Sequence, residues 1–145
     1  MKVLISISTD ESAEVVLQEA KSFLNDLTDV EIHIFTVVDM AIVSIGRDDL
    51  DDMRMMESLE HQTDKFNANL ARIMGDTRYT FSSEVGYPSD EILKKISSSS
   101  YDLLILGSHA HSALDQLLNT SVVEKILRHA ACKTLVIPIN KERAH

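Results

Sequence analysis

The stretch LGSHAHSALDQLLNTSVVEKIL (106–127) gathers the groups best suited to chemistry. His109 and His111 stand two apart, and with a carboxylate such as Asp115 they could ligate zinc. A lone His-x-His fixes no third ligand, so no metal is expected. Ser121 and the free N–H groups of the helix it opens could meet a phosphate, as helix N-termini readily do. Ser121-Val-Val-Glu124 equally fits a capping box, in which the protein's own oxygens satisfy those N–H groups. The stretch contains one glycine, Gly107, where a phosphate cradle would want several.

Other candidates are weaker. His33, His61, His129 and His145 share no spacing. Cys132, the single cysteine, excludes an internal disulfide and reads as a small, at least half-buried residue. Met53, Met55 and Met56 read as flexible core filler before they read as a binding surface. There is no G-x-x-x-x-G-K-[ST] loop and no G-x-G-x-x-G after the first strand. There is no G-x-S-x-G elbow for an acyl-transfer serine. A phospho-receiver domain needs an acidic pair closing strand one and an aspartate closing strand three; Ser8-Thr9 and Gly86 stand there instead.

The elements that would position these groups alternate. KVLISIS (2–8), EIHIFTVVDM (31–40), RYTFSSEV (78–85), YDLLILG (101–107) and TLVIPI (134–139) read as strands. Val16, Ala20, Phe23, Leu24 and Leu27 make one helical face, and Ser8 to Glu11 has capping-box spacing just before it. A loop over 41–47 with Gly46 leads to a long helix over 48–74, with a clear stripe at Phe66, Leu70 and Ile73, a looser one at Leu50, Met53 and Met56, and a stop at Gly75. Pro88 opens a third helix that buries Ile92, Leu93 and Ile96, and SSSS (97–100) reads as a link. Val122, Val123, Ile126, Leu127 and Ala130 form a fourth helix, and the tail KERAH (141–145) reads as frayed. Strands alternating with helices argue for an α/β fold: a doubly wound, three-layer sandwich around a parallel sheet. Ligands of such sheets bind beyond the carboxyl ends of the strands, here Ser8, Asp39, Gly86 and Gly107–His111.

Composition bounds the function. The 145 residues suggest one domain, 1–145. With 14 basic against 23 acidic residues, net charge −9 and no basic run, no nucleic-acid partner is expected. No apolar run approaches the length of a membrane helix, so no membrane partner is expected. The opening MKVLISISTDESAE turns acidic too soon for a signal peptide, which points to the cytoplasm.

The chain resembles the universal stress protein (UspA-like) family nearly end to end. The resemblance rests on VLISIS followed by DESAEVVLQEA, on VVD closing strand two, and on G-x-P-x-x-x-I at Gly86, Pro88 and Ile92. It rests most on LLILGSHAHS…TSVVEKILRHAACKTLVIPI. It implies a five-stranded parallel sheet of order 3-2-1-4-5 with four helices. It also implies a homodimer joined through strand five, at Leu135, Val136, Ile137 and Ile139.

ATP-binding members of the family carry G-x2-G-x9-G-[ST] after strand four and an acidic residue closing strand one. The resemblance places the nucleotide-binding positions at Ser8, Val38, Gly107, Ala110, Thr120 and Ser121, with His111 where a basic residue is common. Gly107 and Ser121 keep the pattern. Ala110 adds a Cβ where phosphate oxygens would lie, and Thr120 is β-branched as well. Ser8 replaces a carboxylate that would accept ribose hydroxyls, and a mostly neutral His111 offsets phosphate charge poorly. The expectation is a cytosolic, homodimeric, non-enzymatic interaction module of the stress response, with a degraded nucleotide motif, no required cofactor and an unidentified protein partner. The alternative is an ATP- or AMP-binding switch with slow or no hydrolysis. A third reading, an enzyme of related fold acting on an adenylate, has no residue set behind it.

Overall fold

A computed structural model describes residues 1–8, 12–39, 64–109 and 122–139. β1 (Lys2–Ile7) is followed by α1 (Ser12–Leu24), β2 (Glu31–Asp39) and a helix, α2, over 64–74. Then come β3 (Thr80–Gly86), α3 (Pro88–Ser98), β4 (Leu103–His109), a helix, α4, over 122–129, and β5 (Lys133–Ile139). The five strands form one parallel sheet of order β3-β2-β1-β4-β5.

Residues 3–7 of β1 are all buried, as a central strand covered on both faces requires. On one face Val3, Ile5 and Ile7 of β1 meet Val16, Leu17 and Ala20 of α1 and Phe66, Leu70, Ile73 and Met74 of α2. On the other, Leu4, Phe35, Leu104 and Leu106 meet Ile92 and Ile96 of α3 and Ile126 of α4. The alternation of side chains along each strand sorts them between the two faces. Each fully buried Leu, Ile, Val or Phe contributes roughly 1.5–3 kcal/mol, so these two cores carry the sandwich.

Local signals end the helices as expected. Gly75, at φ +56°, leaves α2 in the left-handed region, and its N–H donates to the Ala71 carbonyl. Pro88 sits in the first turn of α3 after an extended Tyr87 that provides no side-chain cap.

Several expected boundaries shift. α1 starts at Ser12 and ends at Leu24, so Leu27 lies beyond it and is 44% exposed. Phe23, one residue round the helix from buried Leu24, is 51% exposed; the buried stripe is Ala13, Val16, Leu17, Ala20 and Leu24. Leu127 is likewise 55% exposed on α4. SSSS does not form a link throughout. Ser97 and Ser98 extend α3, their hydroxyls donating to the Leu93 and Lys95 carbonyls at 2.7 and 2.9 Å. β4 accordingly begins at Leu103 rather than Tyr101. The expected loop over 41–47, the helix before residue 64 with Leu50 and the methionine cluster, and the 141–145 tail lie outside the described residues.

Candidate functional site at the carboxyl ends of the strands

β1 is the strand at which connections turn in opposite directions across the sheet. Its chain passes through α1 to β2, while on its other flank β4 leads through α4 to β5. Pairing of β1 with β4 runs only from Val3↔Leu103 to Ser6↔Leu106. β1 stays paired with β2 through Ile7↔Thr36, and β4 with β5 through His109↔Ile139. The two central strands therefore part after Ser6 and Leu106. Ile7–Ser8 stand on one side of the opening and Gly107–His109 on the other. This is the switch-point crevice in which doubly wound sheets receive ligands.

Three expected site residues reach this end of the sheet. Ser8 is exposed just past β1, its hydroxyl 3.2 Å from that of buried Ser12, the first residue of α1. Ser8 is thus tied to α1 through the Ser12 hydroxyl. Val38, half-buried on β2, pairs with Val85 of β3. Gly107 lies in β4 opposite Ile137 of β5. Ala110, Thr120 and Ser121, with His111 and Asp115, lie outside the described residues, as does Glu11 of the expected capping box. Among the described residues no group of three His, Cys, Asp or Glu side chains converges as a metal site.

The reason for Gly107 is packing. A Cβ built there would fall 2.5 Å from Ile139 Cδ1 and 2.7 Å from Val16 Cγ2, closer than carbon atoms approach. α1 and the end of β5 occupy the space that a side chain would take. Gly107 is not in the left-handed region; among the described glycines only Gly75 is.

The sequence reading missed Thr36. It sits on the α1–α2 face of β2, two residues before Val38 and opposite Ile7 of β1, and is 2% exposed. Its Oγ1 is the one buried side-chain oxygen or nitrogen without a hydrogen-bond partner among the described residues. An unpaired buried hydroxyl costs about 1–3 kcal/mol, so it marks a place where a partner would be welcome. A lone threonine in a β-rich run carries no signal of this, since the residue type suits any strand.

The expected interface residues divide between the two cores. Ile137 is buried, at 6% exposure, in the core beneath α1 and α2; Leu135 and Ile139 are half-buried against that core, and Val136 against the other. β5 is an edge strand, and exposed Pro138, which has no N–H to give a ladder, fits an edge. Cys132 is half-buried; burial and the nearby Asp102 carboxylate hold its thiol above the usual range, partly opposed by a backbone hydrogen bond. A thiol so held is a poor nucleophile.

The fold recurs among solved structures. The chain is 23% identical to a hypothetical protein whose biochemical function was assigned from its structure, with a TM-score of 0.78 over 97% of this chain and 96% of that one. It is 18% identical to the universal stress protein UspA from Lactobacillus plantarum, with a TM-score of 0.72 over 94% and 97% of the two chains. A universal stress protein family protein from Arabidopsis thaliana, solved with AMP bound, is 18% identical with a TM-score of 0.63 over 100% and 95%. No curated protein sequence matches the chain. Among the described residues no helix is long and apolar enough to cross a membrane. The sequence model of the universal stress protein family matches residues 1–138, and the chain belongs to that family.

Proposed function

We propose that this chain is a single-domain, homodimeric interaction module of the stress response, not an enzyme, whose nucleotide site has lost its grip on ATP. The observation that carries the reading is the seating of Ile139 and Val16 over Gly107. It gives the retained glycine a reason that needs no phosphate. With that glycine explained by packing, the loop keeps only Ser121 of the family pattern, against Ala110, Thr120 and Ser8. The net charge of −9 adds a field that opposes a polyphosphate. Dimerisation through β5 is supported by its edge position and half-buried apolar flanks, which proteins usually cover. A cytoplasmic location is part of this reading.

One observation favours a second reading, an AMP- or ATP-binding switch. The Thr36 hydroxyl is buried without a partner close to Val38 and the strand-end crevice. A similar fold has been solved with AMP bound and another in complex with cAMP, the latter with 18% identity and a TM-score of 0.60. Calorimetric titration of ATP and AMP into protein purified without nucleotide separates the two readings. Dissociation constants weaker than about 1 mM fit the first. Micromolar binding, or nucleotide released on denaturing the purified protein, establishes the second.

A further inference from the structure

Two exposed apolar side chains turn toward the same edge of the sheet, one on each face. On α4, Lys125, Ile126 and Leu127 are consecutive, and each helix residue turns by about 100° from the last. Lys125 Nζ meets Asp90 Oδ1 of α3 at 2.5 Å, so that side of α4 faces α3. Ile126 is fully buried and points into the core with Leu104 and Leu106 of β4. Leu127 therefore points away from α3, and it is 55% exposed. α3 lies over β2 and β3, so the direction away from it leads toward β5.

The other face repeats the arrangement. Glu14 of α1 pairs with Arg72 of α2 at 3.5 Å, and Lys21 of α1 donates to the Ile73 carbonyl of α2 at 2.8 Å. That side of α1 faces α2, whose Phe66 ring meets Phe81 of edge strand β3. Phe23 stands about two and a half turns beyond Glu14, so it points away from α2 and toward β5. It is 51% exposed. α1 reaches this side of the sheet, where Val16 and Ile139 share the space over Gly107.

We propose that Phe23 and Leu127 flank the β5 edge in contact with a second copy of this chain, so that the interface has three layers, α1, β5 and α4. The proposal rests on the reading of a homodimer through β5. Strand pairing alone is too narrow: a stable interface takes roughly 20–30 residues a side. β5 has 7 residues, and Pro138 has no N–H to give. A two-fold axis between antiparallel edge strands keeps like faces of the joined sheets on the same side, so α4 meets α4 and α1 meets α1. α4 joins β4 to β5 and packs in the cluster that holds Leu104 and Val136. With strands about 4.8 Å apart, two helices over such seams come to about 10 Å, where helices pack. The charges beside Leu127 do not oppose this. Glu124 and Arg128 neutralise one another at 2.6 Å, although the whole chain carries −9.

The test is light scattering of the full chain at micromolar concentration, with circular dichroism to establish that each variant folds. Leu127→Glu and Phe23→Glu are compared with wild type and Val136→Lys. Val85→Glu is the control, since Val85 is 48% exposed on β3, the opposite edge of the sheet. Wild type and Val85→Glu should keep the mass of two chains. Leu127→Glu and Phe23→Glu should each weaken dimerisation by about tenfold or more. Leu127→Gln and Phe23→Gln add no charge and should shift the mass the same way by less, which covers a glutamate variant that fails to fold. A wild-type mass of one chain overturns the dimer and this interface with it. A two-chain mass that Val136→Lys lowers, but that substitution at either Leu127 or Phe23 leaves whole, overturns the three layers and leaves the dimer through β5 standing. An equal loss in Val85→Glu also overturns them.

Discussion

Ile139 at the end of β5 lies over Gly107 of β4, its Cδ1 2.5 Å from where a Cβ on that glycine would stand. The contact joins the outermost strand of the sheet to the mouth of the central crevice, and buried Val16 of α1 closes it from above.

Gly107→Ala should therefore destabilise the protein whether or not nucleotide is present. Ile139 can swing its terminal methyl aside, but Val16 is β-branched and 2% exposed, so it cannot. Overpacking of this kind costs about 1–3 kcal/mol. Urea denaturation measures it, and combining Gly107→Ala with Val16→Ala should cost less than the sum of the two. Gly86→Ala is the contrast. The three atoms nearest a Cβ there all belong to the side chain of Glu91, at 2.5 to 2.9 Å, and that flexible chain can move. Its cost should be the smaller.

The dimer is expected to give a mass of two chains by light scattering at micromolar concentration. Lysine at either Val136 or Ile137 would look from sequence like a test of the interface, but the two positions differ. Ile137 is buried beneath α1 and α2, so Ile137→Lys should unfold the protomer, and Ile137→Ala should cost about 2–5 kcal/mol. Val136 is half-buried, and Val136→Lys should shift the mass toward one chain with the circular dichroism spectrum retained. A wild-type mass of one chain refutes the dimer.

Ala110→Gly with Thr120→Gly should raise ATP affinity, by about five- to thirty-fold for each glycine that relieves left-handed strain. Adding Ser8→Asp should raise it again by restoring an acceptor for ribose. Calorimetry on wild type and the triple variant checks this. Undetectable binding in both would mean that strain in the loop does not close the site.

Ser8→Asp alone has a second expected effect. Ser8 already touches Ser12 at the start of α1, so a carboxylate there would lie near the positive end of the helix dipole. It should stabilise the fold by about 0.3–1 kcal/mol near neutral pH, a gain lost as the carboxylate protonates. Thermal melts at neutral and acidic pH measure it.

The alternation of elements was legible in the sequence because its signals are local. Apolar runs such as EIHIFTVV and LLIL, the stop at Gly75 and the proline at Pro88 act within a turn or two of the chain, and each appears where expected. The order 3-2-1-4-5 came from family resemblance, since periodicity alone carries no information on which strands pair. The family itself was legible in the segment from Leu103 to Ile139.

Tertiary structure decided what those residues do. Sequence made Phe23, Leu27 and Leu127 core residues, yet helix termini and rotation are set by what packs against them, and all three are exposed. It made Gly107 a remnant of a phosphate cradle; only the arrival of α1 and the end of β5 above that point shows the glycine as a packing requirement. It found no pattern among the histidines, because the partners of His33, the Thr80 and Ser82 hydroxyls, are set by the β2–β3 register and not by spacing along the chain. In each case the deciding atoms come from distant parts of the chain, and they meet only once the whole sheet has been paired and covered.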